Sequence, residues 1–400
     1  MPPTTDSQPV FVLCTSRSGS TLLRYVLDSH PQLGCPPEMH LGPLARQLRW
    51  SYALAAGLPV LAGNDATEVD APGVLARCAE AVEKIMAGYL ERIGKQHWCE
   101  KSVTSVDHAE LLAQMFPAAR FVCLYRNCMD MVHSGLEVSR HGFAGYGFAE
   151  FVARQLDNSV AGMAEYWCDK VGKISRFERE HPKRCLRLRY EDLVYRSAEV
   201  VPRLLEFIGV DADPGLMDRV FTMSHQDGPG DANILFSRRI ETRSVGKGSL
   251  VPVRLLPPPL LARINELLES LDYPTIGPDW GTRPSPYVDA TAVAEASPAM
   301  ADVSPGEVLR AIWEALGKSD SSGVVRFVFE DAEEQPWHVA FGSDAVSIQQ
   351  GEVTADCDVR MPLAQLHAIA QGRVNPMALI RSGEMRVSGN VDVLRKTFQL

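Results

Sequence analysis

Residues 11–31 read FVLCTSRSGSTLLRYVLDSHP, and this stretch constrains the chain more than any other. Val10 to Leu13 is a continuous apolar run, the pattern of a strand buried on both faces. Thr15 to Thr21 is a turn of small polar residues with one arginine and one glycine, and Leu22, Leu23, Tyr25, Val26 and Leu27 follow at helical spacing. Strand, turn and helix N-terminus in immediate succession form a ready cradle for a phosphate. The first backbone N–H groups of the helix lack intrahelical partners, and the helix dipole is positive there. Gly19 lets the backbone approach an anion, Ser18, Ser20 and Thr21 add hydroxyl donors, and Arg17 adds a fixed, forked charge. The loop is not of the Walker A type: G-x-x-x-x-G-K-[ST] is missing and the basic residue precedes the glycine. On this stretch alone, an N-capped helix beside an incidental arginine explains the residues equally well.

The next 250 residues alternate short apolar runs with helical patterns. Strands are expected at Val10–Cys14, His97–Glu100, Arg120–Tyr125 and Cys185–Tyr190, and helices over 19–29, 76–93, 106–116, 128–140, 148–179, 198–208 and 258–271. Such alternation predicts an α/β fold, a P-loop-like parallel sheet flanked by helices, with ligands at the carboxyl ends of the strands. Residues 225–250, polar and glycine-rich, read as a long ordered loop or lid. Residues 276–304 have the Pro, Ala, Ser and Thr content of a linker. Beyond them "GVVRFVFED", "PWHVAFG" and "DAVSIQQG" predict an antiparallel meander. Short helices over 362–371 and 375–381, a strand over 384–388 and a helix over 391–398 complete a smaller α+β domain.

Composition narrows the function. The net charge is −10 and most of it lies beyond residue 287, which argues against a nucleic-acid surface. An anionic ligand must therefore be held by local groups. No window reaches the roughly 18–20 apolar residues of a membrane span. The N-terminal residues lack the pattern of a signal peptide. The nine cysteines are scattered without a C-x-x-C pair. The expectation is a cytoplasmic protein with reduced thiols, without a transmembrane segment.

A second element sharpens the reading. "RFVCLYRNCMDMVHS" places Arg126 directly after a buried strand and Ser134 two helical turns further on. The pair can hold a second phosphate, although a surface arginine and a mid-helix serine would read the same way.

Taken together these elements resemble the sulfotransferases that use 3′-phosphoadenosine 5′-phosphosulfate, PAPS. "TSRSGSTLL" is similar to their 5′-phosphosulfate loop, "YRNCMDMVHS" to their 3′-phosphate motif, "LRYEDLV" to the segment after a later strand, and "SVGKGS" to the loop that closes over the nucleotide. The likeness is nearer to the tyrosylprotein and related bacterial branch, which has arginine where cytosolic enzymes have lysine; here that is Arg17. "LLRYVLDSHPQLGCPPEMH" tracks this branch through Arg24, His30, Cys35 and Glu38. The resemblance implies PAPS as co-substrate without a metal. It implies Glu38 as general base, with Arg17 and Lys101 of "CEKSV" as stabilisers of the transferring group. It also implies nucleotide contacts from Arg17, Ser18, Gly19, Ser20, Thr21, Arg126, Ser134, Tyr190, Ser244 and Lys247. Tyr190 offers a ring to adenine. His40 and His133 are rival bases, and His30 reads as structural. Ser16 stands where proline is common, and Asn127-Cys128 replaces the usual Asp-Pro or Asp-Gly.

The C-terminal stretch "GEVTADCDVRMPLAQLHAIAQGRVNPMALIRSGEMRVSGN" resembles sterol carrier protein type 2 domains, which are lipid-binding, with Leu363, Leu366, Ile369, Met377, Leu379 and Ile380 as tunnel-lining or plain core positions. The domain expectation is 1–280 sulfotransferase, 281–303 linker and 304–400 lipid-binding-like. The implied partner is a hydrophobic small-molecule or lipid acceptor, with homodimer formation left open. The competing functions are a kinase-like phosphotransferase and a non-catalytic lipid carrier on a nucleotide-binding scaffold.

Overall fold

The computed structural model of the chain describes residues 8–58, 73–138, 143, 145–226, 234, 239–240, 242, 244–280, 304–316, 322–331, 335–342, 346–370, 379 and 383–390, without the side chains of 311–316, 368 and 370. The chain divides into two compact units, 1–290 and 291–400.

The first unit is built on five parallel strands, β1 (Val10–Cys14), β2 (Leu33–Gly34), β3 (His97–Lys101), β4 (Arg120–Tyr125) and β5 (Cys185–Arg189), in the order β2-β3-β1-β4-β5. Strand β1 is central, pairing Val10 with Cys99 on one side and Val10 through Cys14 with Arg120 through Leu124 on the other. Alternate residues of these strands feed two cores. Phe11, Leu13, Trp98, Phe121, Cys123 and Tyr125 face one, and Val10, Val12, Cys14, Cys99, Val122 and Leu124 face the other. The Phe11 ring lies 5.5 Å from the Trp98 ring, edge-on, and 5.5 Å from the Phe121 ring, stacked, geometry that adds to area burial.

The helices are α1 (Ser20–Asp28), α2 (Leu41–Ala55), α3 (Val74–Ile93), α4 (Ala109–Met115), α5 (Cys128–Val138), α6 (Ala149–Arg154), α7 (Ser159–Glu180), α8 (Tyr190–Tyr195), α9 (Ser197–Ile208), α10 (Leu216–Arg219) and α11 (Pro258–Ser270). The expected single helix over 148–179 is two. Asn158 accepts the N–H of Ala161 at 3.1 Å and starts α7 afresh. The fourth predicted strand ends one residue early, and Tyr190 opens α8 instead. Because β3 and β4 flank β1, the loops leaving three neighbouring strands share one edge of the sheet. That arrangement draws residues 15–19, 101–102 and 126–127 together.

The second unit holds β6 (Gly323–Phe329), β7 (Trp337–Phe341), β8 (Val346–Gln350), β9 (Cys357–Met361) and β10 (Arg386–Gly389) in the order β10-β9-β6-β7-β8. β6, β7 and β8 form the antiparallel meander read from the sequence, whereas β9 joins β6 in parallel. Buried residues alternate along β6, with Val325, Phe327 and Phe329 inward. On its polar face Arg326 reaches both oxygens of Asp358, at 2.7 and 2.8 Å. Leu366 and Leu379 belong to the core, and Leu363 and Ile369 pack against it. Met377, Ile380 and the final helix expected over 391–398 lie outside the described residues.

Candidate active site

The loop after β1 has the backbone its sequence demands. Arg17 and Gly19 both have positive φ, 63° and 83°. Gly19 is the N-cap of α1 and, lacking a side chain, makes no capping bond of its own. A Cβ on Gly19 would meet the Tyr190 ring at 2.1 Å, so no larger residue fits. The loop is pinned from outside. Ser16 donates its N–H to the Tyr166 hydroxyl at 2.9 Å, and its own oxygen accepts the N–H of Gly147 at 3.1 Å. The Ser18 hydroxyl turns back to the Thr15 carbonyl at 2.7 Å. The neighbouring Cys14 thiol is pushed by burial up to about 12, which keeps it protonated at neutral pH.

The Arg17 loop and the Arg126–Ser134 stretch meet directly. Arg17 Nε donates to Ser134 Oγ at 3.0 Å, and Arg126 Nη1 donates to the Arg17 carbonyl at 2.7 Å. Arg126 Nη2 donates to the Ser244 carbonyl at 2.9 Å, and its guanidinium lies 4.6 Å from the Tyr190 ring centroid. Arg126 is 5% exposed, and its Nε is buried without a hydrogen-bond partner among the described residues. A buried, incompletely paired guanidinium beside a helix N-terminus suits an anion. By that criterion the residues fit a phosphorylated nucleotide.

Tyr190 lies between the two motifs. Its ring lies against Gly19 and under Arg126, its hydroxyl shares a 2.7 Å hydrogen bond with Ser244, and only 7% of the residue is exposed. It braces the two motifs.

On the β3 side, Lys101 and Glu38 form an ion pair of 2.6 Å, with the lysine fully buried and the glutamate partly so. His40 is exposed and its Nδ1 lies 3.0 Å from the Thr104 hydroxyl. His133 lies on α5 beside Glu137, and burial lowers its pKa against the opposing pull of Glu137. His30 ends the α1 turn with Nε2 on the Asp211 carbonyl at 2.9 Å, a structural placement.

The late loop closes onto α5 through a residue to which the sequence reading gave no role. Asp130, 4% exposed, accepts the N–H groups of Gly246 and Gly248 at 2.8 and 2.6 Å. A Cβ on Gly248 would lie 2.4 Å from the Met129 carbonyl carbon, which is why glycine stands there. Lys247 projects to Glu137 at 3.4 Å and remains about one-third exposed. Asp130 was findable in principle: it lies one helical turn before Ser134, on the same face.

A model described as "Sulfotransferase family" matches residues 9–214. The chain belongs to the sulfotransferase family. A second model, "SCP-2 sterol transfer family", matches residues 318–400, so the chain joins a sulfotransferase domain to an SCP2 domain. The first domain is similar to "Protein-tyrosine sulfotransferase 2" of Gallus gallus, 25% identical over 210 residues, which cover 50% of this chain and 51% of that one. It is also similar to "Protein-tyrosine sulfotransferase A" of Caenorhabditis elegans, 25% identical over 215 residues, covering 51% and 50%. The chain spans about half the length of the curated relatives it matches. Among solved structures it is similar to "Sulfotransferase Domain from the Curacin Biosynthetic Pathway", with 23% identity, a TM-score of 0.49, and coverage of 68% of this chain and 99% of that one. Among the described residues no helix is long and apolar enough to cross a membrane.

Proposed function

We propose that this sulfotransferase moves a sulfonyl group from PAPS to the hydroxyl of a hydrophobic small molecule or lipid. The observation that carries the reading is the convergence, at one sheet edge, of the Arg17 loop, the Arg126–Ser134 pair and the Glu38–Lys101 pair. The nucleotide supplies the sulfonyl group. Arg126 and Ser134 hold its 3′-phosphate, and the N–H groups and hydroxyls of Ser18 to Thr21 hold the 5′ end. Glu38 takes the proton from the acceptor hydroxyl as its oxygen bonds to sulfur and the sulfur–oxygen bond to the nucleotide breaks. Arg17 and Lys101 supply positive charge to the sulfonyl oxygens and the leaving phosphate oxygen. Ser244 and Lys247 belong to the loop that closes over the nucleotide.

We assign 1–280 to this chemistry, 281–303 to a linker and 304–400 to holding the apolar part of the acceptor, the role that an SCP2 domain supports. Calorimetry with the product 3′-phosphoadenosine 5′-phosphate in the presence of chelator tests the nucleotide assignment. Binding is expected without metal. It should weaken when the 3′-phosphate is removed, and that loss should vanish in Arg126→Ala. Tight magnesium-dependent ATP binding with no heat from the 3′-phosphorylated nucleotide overturns the proposal.

A further inference from the structure

We infer that Glu100 and Ser102 are positioning residues that clip the Glu38 turn to the end of β3. The inference rests on the reading of Glu38 as base. Helix α2 begins with its N-cap at His40, whose φ of 53° is left-handed and whose side chain caps nothing. For a residue with a side chain that conformation is strained and persists only where its surroundings impose it. The first N–H groups of α2 also need acceptors from outside the helix.

The end of β3 and the residue after it supply both. His40 donates its N–H to Ser102 Oγ at 3.0 Å. The Ser102 hydroxyl donates in turn to Glu100 Oε1. Glu100 also accepts from the Ser105 hydroxyl at 2.8 Å and from the backbone N–H of Leu41. Between these residues, Lys101 holds Glu38 itself at 2.6 Å. The last two residues of β3, Glu100 and Lys101, and Ser102 directly after it therefore grip Leu41, Glu38 and His40.

Glu100 and Ser102 are both 0% exposed, so neither touches a ligand from solvent and both act through the turn. Burial raises the Glu100 pKa while its donors and Lys101 pull the other way. With three donors converging on it at a helix N-terminus, the Glu100 carboxyl is a satisfied group.

Hydrogen exchange and turnover together test the clip. In Ser102→Ala the His40 N–H loses its acceptor, and in Glu100→Gln an amide donor enters a site where three donors already converge. Both variants should exchange amides 38–42 faster than wild type while exchange in β1 and β4 and affinity for 3′-phosphoadenosine 5′-phosphate stay unchanged. PAPS turnover, with water as acceptor, should fall about ten- to hundredfold, the scale of a misplaced reacting group. Adding either change to Glu38→Gln should cause little further loss. Unchanged exchange at 38–42 overturns the inference, as does a fall in nucleotide affinity with faster exchange across the whole sheet, the mark of a merely structural role. Full additivity with Glu38→Gln also overturns it. Undiminished turnover in Glu38→Gln with the exchange result intact instead removes the base reading and leaves the clip.

Discussion

Replacing Asp130 by alanine should unlatch the loop that carries Ser244 and Lys247. Its two oxygens accept the N–H groups of Gly246 and Gly248 at 2.8 and 2.6 Å, in a site that is 4% exposed. Each donor left buried without an acceptor costs about 1–3 kcal/mol, so the closed loop loses about 2–6 kcal/mol. The loop need not bear that loss closed. It can open to water, which caps the cost at its own opening free energy. Opening would separate Ser244 from Arg126 and from the Tyr190 hydroxyl, two contacts that brace the proposed phosphate motifs. Affinity for 3′-phosphoadenosine 5′-phosphate should therefore fall about ten- to hundredfold, at 1.4 kcal/mol per decade. Calorimetry reads the affinity, and hydrogen exchange of residues 244–250 reads the opening. Gly248→Ala should reach the same end by steric means, since its Cβ would lie 2.4 Å from the Met129 backbone. Loss of nucleotide affinity with unchanged exchange in the loop would refute the latch, as would faster exchange with wild-type affinity.

Two further outcomes follow from the structure. Burial acts to raise the Asp28 pKa, but hydrogen bonds from His225 and the Cys35 N–H, together with Lys95, outweigh it and leave the carboxyl below its ordinary value. An acid with a depressed folded pKa stabilises the fold above its unfolded value, about 3.9, and loses that contribution as pH falls through the lower folded value. Thermal melting between pH 6 and about 2 should show a steeper acid loss in wild type than in Asp28→Asn; parallel curves would contradict it. A chain ending near Pro284 should bind the nucleotide like the full chain yet lose kcat/KM more for long than for short primary alcohols. Equal losses across the chain-length series would show that the SCP2 domain does not hold the acceptor.

Much of the first unit was legible because parallel strands are written as apolar runs. VFVLC and RFVCLY became β1 and β4 residue for residue. Helix α2 was not among the expected helices: the groups that accept its first N–H bonds, Ser102 and Glu100, come from the end of β3 and the residue after it, some 60 residues away in sequence. The split at Asn158 had a local signal, an N-cap residue inside a helical pattern, which the longer periodicity masked. In the site, the loop and the Arg126–Ser134 spacing could be read because each is a local pattern. The Arg17–Ser134 contact, the Asp130 latch and the bracing role of Tyr190 pair residues 54 to 171 positions apart, and only the sheet order brings them together.

The central claim is sulfonyl transfer, and sulfur-35 in the sulfonyl group of PAPS follows it directly. The enzyme is incubated with labelled PAPS and a lipid extract, and labelled organic products are identified by chromatography and mass spectrometry. The account predicts a labelled product whose mass exceeds its acceptor's by one sulfonate. It also predicts that Glu38→Gln lowers the rate by roughly 10²–10⁴-fold, the worth of a general base, with nucleotide affinity kept. Absence of labelled product while the γ-phosphoryl of ATP is transferred to an acceptor in the same extract would contradict sulfonyl transfer.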